Sequence, residues 1–127
     1  MGLVRKVKCV IVEGDNLLLK YNKDTQEWDL PGSQLKDEEE LTTTAYSIAE
    51  QQLGCDVSLD EFLGSHDYEN EGVMHRTFLF KAKINKITHP DKAGVVRLIP
   101  LQNLDKPTLN ESFAQALPEL KKKLLRQ

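Results

Sequence analysis

Near the start of the chain, in "VRKVKCVIV", Val7, Cys9 and Ile11 alternate with Lys6, Lys8 and Val10, and this period of two predicts a β-strand over about residues 4–12. The polar run "EGDN" supplies turn chemistry, and Leu17, Leu18, Leu19 and Tyr21 predict a second strand that returns as a hairpin. A polar loop, "NKDTQE", leads to a short strand over 28–30 that Pro31-Gly32 ends. From Leu41 the period changes. Leu41, Ala45, Ile48, Ala49 and Leu53 fall on one face of a helix over about 41–53, and Gly54 closes it from the position just past the last turn.

The acidic run 37–40 precedes that helix, where the helix dipole favours negative charge. Beyond it, "VSLDEFLGSHDY" predicts a strand, 69–72 a hairpin loop, and "VMHRTFLFKAKI" a longer strand with Phe78, Phe80, Ala82 and Ile84 along one face. "THPDKAG" reads as a loop and "VVRLIP" as a short strand. A C-terminal helix follows, with Asn110 as its N-cap, Phe113, Leu117, Leu120 and Leu124 as its buried stripe, and Pro118 expected to kink it or to begin a second helix. Strands, helix, strands, helix is the order of an α+β or mixed sandwich.

Composition narrows the partners. A chain of 127 residues fits one domain, expected over 1–127, and 39% apolar with 29% charged residues is enough to build a core. The net charge of −3 argues against nucleic acid or an anionic membrane surface as partner, because both are held by clustered Lys and Arg. Arg5, Lys6 and Lys8 interrupt the apolar run that a signal peptide would need, and no other stretch is long and apolar enough to span a bilayer. Cys9 and Cys55 have no metal-ligand spacing, so they are expected to be reduced, buried thiols in a cytoplasmic protein. Lys121, Lys122 and Lys123 suit the end of a helix.

The chemistry is concentrated in "WDLPGSQLKDEEELTTTAYSIAEQQLGC", residues 28–55. Side chains at i, i+3 and i+4 share a helix face, so three carboxylates spaced that way beside a glycine turn would hold magnesium against a diphosphate. The stretch resembles the signature of the Nudix (MutT-like) hydrolases. That signature runs glycine, five residues, glutamate, seven residues, Arg-Glu, an apolar residue, any residue, Glu-Glu, any residue, glycine and an apolar residue, and it usually follows Trp-x-Leu-Pro-Gly-Gly. Read without gaps, Ser33 stands at the first glycine, Glu39 at the lone glutamate, Ala49 and Cys55 at the apolar sites and Gly54 at the closing glycine. Ser47 then stands at the arginine, Ile48 at the glutamate beside it, and Gln51 and Gln52 at the two metal-binding glutamates. A shift of one residue recovers Gly32, Glu38 and Glu50 but misplaces Gly54, so the gapless register is preferred.

The resemblance covers nearly the whole chain and implies a Nudix-type α/β/α sandwich with a mixed central sheet. It implies a small nucleotide-type ligand, a nucleoside diphosphate linked to another group or a similar phosphoanhydride, over Gly32, Ser33 and the Ile48, Gln51 and Gln52 helix face. Catalytic positions would be Glu50, Gln51 and Gln52; Glu39 and Glu50 would be the ligands for Mg2+ or Mn2+; His75 and Arg76, on a strand that runs beside the substrate in this family, would contact a base or phosphate. Homodimers are common in the family. The missing carboxylates weaken that chemistry: a unit charge at 4 Å contributes about 4 kcal/mol at an effective dielectric of 20, and a neutral amide oxygen does not replace it. Two readings follow. One is a weak metal-dependent pyrophosphohydrolase; the other, needing no cofactor, is a noncatalytic nucleotide sensor or protein-interaction module.

Overall fold

The computed structural model describes residues 2–125. Strands β1 (Gly2–Glu13), β2 (Asn16–Asn22), β3 (Glu27–Asp29) and β4 (Gly32–Gln34) are followed by helix α1 (Leu41–Ile48). A long hairpin of β5 (Cys55–Asn70) and β6 (Val73–Ile87), then β7 (Val96–Pro100) and helix α2 (Glu111–Leu124), complete the order. The sheet runs β3-β2-β1-β6-β5, with β4 beside β1 and β7 beside β2. It is mixed, because β1 pairs with β6 in parallel and the other pairings are antiparallel.

Alternation along β1 divides the core between two layers. Val7, Cys9 and Ile11 pack with Ala45, Ile48, Ala49 and Leu53 under α1. Val10, with Leu17 and Leu19, packs with Phe113, Leu117, Leu120 and Leu124 of α2. This is the α/β/α sandwich with a mixed central sheet that the hydrophobic pattern and the resemblance lead one to expect. No helix of the described residues is long and apolar enough to cross a membrane.

Local structure departs from expectation in three places. The Pro31-Gly32 turn does not end pairing: Gly32, Ser33 and Gln34 form β4 against Lys8, Val7 and Lys6. The first helix is α-helical only to Ile48 and widens into a π-turn over Ala49–Leu53, where Gly54, at φ 64°, donates its N–H back to the Ala49 carbonyl. Such π-turns recur at functional sites. Pro118 does not divide the C-terminal region into two helices, since Glu111–Leu124 is one helix. The N–H that proline lacks is lost inside the helix, but the buried stripe on both sides of it keeps the helix continuous. Asn110 caps α2 as expected, accepting from the Phe113 N–H at 3.3 Å. Cys9 and Cys55 are free and buried.

Candidate functional site

Gly32 is the hub of the site because no larger residue fits there. A Cβ at this position would collide with the Lys8 side chain and the Val7 carbonyl, so the close approach of β4 to β1 requires glycine. On the far side, Gln52 of the π-turn reaches the same residue with both ends of its amide. Its Oε1 accepts from the Gly32 N–H at 3.3 Å and its Nε2 donates to the Gly32 carbonyl at 2.7 Å. Lys20 of β2 donates to the Gln52 main-chain carbonyl at 2.9 Å. Lys8 pairs with Asp29 at 2.9 Å, and the other Asp29 oxygen accepts from the Leu30 N–H at 2.7 Å.

These groups border a cavity of about 480 Å3 whose walls include Lys8, Lys20, Lys23, Asp24, Asp29 and Gln52. Three lysines face two aspartates, so the wall carries one excess positive charge in a chain of net charge −3. Lys8 and Asp29 also border a small void of about 20 Å3 that continues along the same sheet face to Lys6, Asn110 and Ser112. Lys6, Asn110 and Ser112 in turn border a cavity of about 230 Å3 with Tyr68 and His75. The three spaces thus lie side by side, as an interrupted cleft that narrows in the middle to the 20 Å3 void. Burial, then the neighbouring Lys8 ammonium, lower the pKa of Lys6 against the opposing pull of Asp29, and burial lowers that of Lys20. Partly desolvated ammonium groups of this kind gain from an anionic partner.

The site residues expected from the sequence are dispersed. Gly32 and Gln52 meet. Ser33 lies in β4 opposite Val7. Ile48 is 3% exposed and packs in the core under α1, where it offers a ligand nothing. Glu50 and Gln51 are exposed on the π-turn, and exposed Glu39 caps its own loop, its Oε1 accepting from the Lys36 N–H at 2.7 Å. His75 and Arg76, successive on β6, point to opposite faces of the sheet. His75 borders the cleft, 6.3 Å from the Tyr68 ring, with its Nδ1 buried and unpartnered. Arg76 instead makes a two-pronged pair with Asp67 at 2.8 and 3.0 Å. Trp28 packs against Tyr21 and beneath Arg97.

Sequence reading missed Lys6, Lys8, Lys20 and Asp29. The signal for two of them was present: Lys6 and Lys8 precede buried Val10 and half-buried Val12 on one strand face. Polar residues inside such an alternation mark the part of the face that no helix covers.

The divalent metal that this fold's resemblance implies does not fit these residues. Of the four replaced signature positions, Ile48 has no donor, Ser47 and Gln51 are exposed, and both ends of the Gln52 amide are used by Gly32. Among the described residues, no three His, Cys, Asp or Glu are grouped so as to hold a metal ion.

No family model matches the sequence, and no curated protein matches it. Solved structures do. The chain is similar to the ORF135 protein of E. coli at TM-score 0.84 and 14% identity, over 100% of this chain and 94% of that one. A NUDIX hydrolase from Nitrosomonas europaea aligns at TM-score 0.78 and 13% identity, over 94% and 89%. An ADP-ribose pyrophosphatase from Streptococcus suis aligns at 0.75 and 16%, over 98% and 93%. The chain has the fold of the Nudix hydrolases.

Proposed function

We propose that this protein binds a small phosphoanhydride of the nucleoside diphosphate-X class along the cleft from Gly32 to His75, and that its hydrolysis of that ligand is slow. The observation that carries the reading is the cleft itself, with a lysine-lined wide end beside the Gly32 turn and a second space bordered by His75, Tyr68 and Asn110. A diphosphate suits the first by charge, and a base or sugar suits the second by its ring and hydrogen-bonding groups. The Nudix fold and the likeness to an ADP-ribose pyrophosphatase support the ligand class. Slow turnover follows from the donor set, since the two glutamines and the buried Ile48 supply none of the charge that a hydrolytic metal needs.

The test is a panel of ADP-ribose, nucleotide sugars, dinucleoside polyphosphates and nucleoside triphosphates. Binding is read by calorimetry, and release of phosphate or nucleoside monophosphate is read with magnesium and with manganese. Binding of at least one class, weakened in His75→Ala, is the expected result; absence of binding across the panel would sink the reading. A noncatalytic nucleotide sensor is the second reading, and the engaged Gln52 amide supports it. Binding without product release in either metal would select it.

A further inference from the structure

Gln52 holds the Gly32 turn in a way that a carboxylate would not. Its Nε2–H donates to the Gly32 carbonyl at 2.7 Å while its Oε1 takes the Gly32 N–H. A glutamate there would set an oxygen against the carbonyl oxygen, two acceptors at hydrogen-bond distance with no proton between them. Such a pair persists only with a proton or a metal cation between the oxygens. The amide carries its own donor, so turn and helix are joined without a metal. Lys20 ties β2 to the same residue through the Gln52 carbonyl, and uses one of its three N–H groups to do so.

Positive charge is therefore already built into the wall. Lys8 and Lys20 are half-buried and Lys23 is exposed at the rim, in a turn where Asn22 Oδ1 accepts from the Asp24 N–H at 2.9 Å. Among the described residues only Lys8 of this wall pairs with a carboxylate, that of Asp29, whose other oxygen accepts from the Leu30 N–H. We propose that this cavity takes a diphosphate directly on Lys8, Lys20 and Lys23 without a divalent cation, with the Gln52 amide doing the organising that a metal would otherwise do. The inference rests on the binding reading above and specifies the origin of its positive charge. Added magnesium should then weaken binding, because it neutralises the free diphosphate before the lysines can.

The test is calorimetric titration of the full chain with inorganic pyrophosphate and with ADP-ribose, in EDTA and in excess magnesium. Expected are binding in EDTA, severalfold weaker binding in magnesium, and a loss of about tenfold in each of Lys20→Ala and Lys23→Ala, the size of one charge-assisted hydrogen bond. Lys23 is exposed, so its variant reports on binding even if Lys20→Ala does not fold. Gln52→Glu should bind in magnesium or manganese and lose binding in EDTA; binding in EDTA equal to that of the wild type would remove the role given to the amide. Wild-type affinity tenfold or more stronger in magnesium than in EDTA would overturn the proposal. The outcomes separate it from the ligand class: ADP-ribose bound only with magnesium leaves the class standing and removes the cation-free site, pyrophosphate bound in EDTA with no nucleotide bound does the reverse, and no binding of any kind removes both.

Discussion

The two faces of β1 carry the same alternation to different ends. Under α1, Val7, Cys9 and Ile11 are each 1% exposed or less, and two hydrophobic core clusters close over them. On the other face, Val10 is equally buried beneath α2, but Lys8 and Lys6, one and two steps earlier on that face, border a cleft. The first helix and its π-turn close over Val7, Cys9 and Ile11, whereas α2 leaves the Lys6 and Lys8 end of its face open. The uncovered part of a sheet is where this molecule keeps its charged groups, while the frame that holds them is secured from the closed side.

The largest expected effect lies on the closed side. Ile11→Ala should lower unfolding free energy by about 2–5 kcal/mol, the range for truncating a buried aliphatic residue, measured by chemical denaturation. A loss below about 1 kcal/mol would break the contrast, because it would mean that the closed face is loosely packed. A second effect on that face depends on pH. Burial pushes the Cys9 thiol up to about 11 from its ordinary 9.0, and its Sγ–H donates to the Ala45 carbonyl at 3.4 Å. The folded state therefore holds a proton that the unfolded state releases first. That stabilisation is complete below pH 9 and falls away by about 2–3 kcal/mol as pH rises toward 11. Denaturation at stepped pH should show this slope in the native chain and a shallower one in Cys9→Ala.

The open side should respond in affinity rather than stability. Lys8→Met keeps the hydrocarbon stem against Gly32 and removes the charge, so pyrophosphate affinity should fall about tenfold, about 1.4 kcal/mol, while stability changes by less than that because Asp29 retains the Leu30 N–H. The smallest effect belongs to Arg76→Ala. Its pair with Asp67 is exposed and on the face away from the cleft, so neither the denaturation midpoint nor ligand affinity should move measurably. A large loss of affinity in that variant would place the ligand on the wrong face of the sheet.

Much of the frame was legible because it is periodic. The alternation of β1, the helical stripe from Leu41 to Leu53, the αL glycine at Gly54 and the Asn110 cap all follow from local spacing and from the conformations those residues favour. The π-turn was not legible, since hydrophobic spacing sets a helix face but not the length of its hydrogen-bonded ring. The strand β4 was hidden for another reason. Three residues carry too little pattern to predict a strand, and Gly32–Gln34 pairs only because β1 lies alongside it. For the site, the resemblance to the Nudix signature brought forward Gln51 and Gln52 as equals, yet one is exposed and the other is bonded twice to Gly32.

By itself the sequence determined the order of elements, the two apolar stripes that make a sandwich, and the absence of carboxylates at positions 48, 51 and 52. These are properties of neighbours along the chain, and local sterics and burial enforce them. Only the tertiary structure decided that Lys8, Lys20 and Asp29 meet at Gly32, that His75 and not Arg76 reaches the cleft, and that Gln52 closes on a backbone twenty residues earlier. Those groups come from separate strands, and their meeting depends on sheet order and on which face a helix leaves uncovered, neither of which is encoded in the spacing of any one segment.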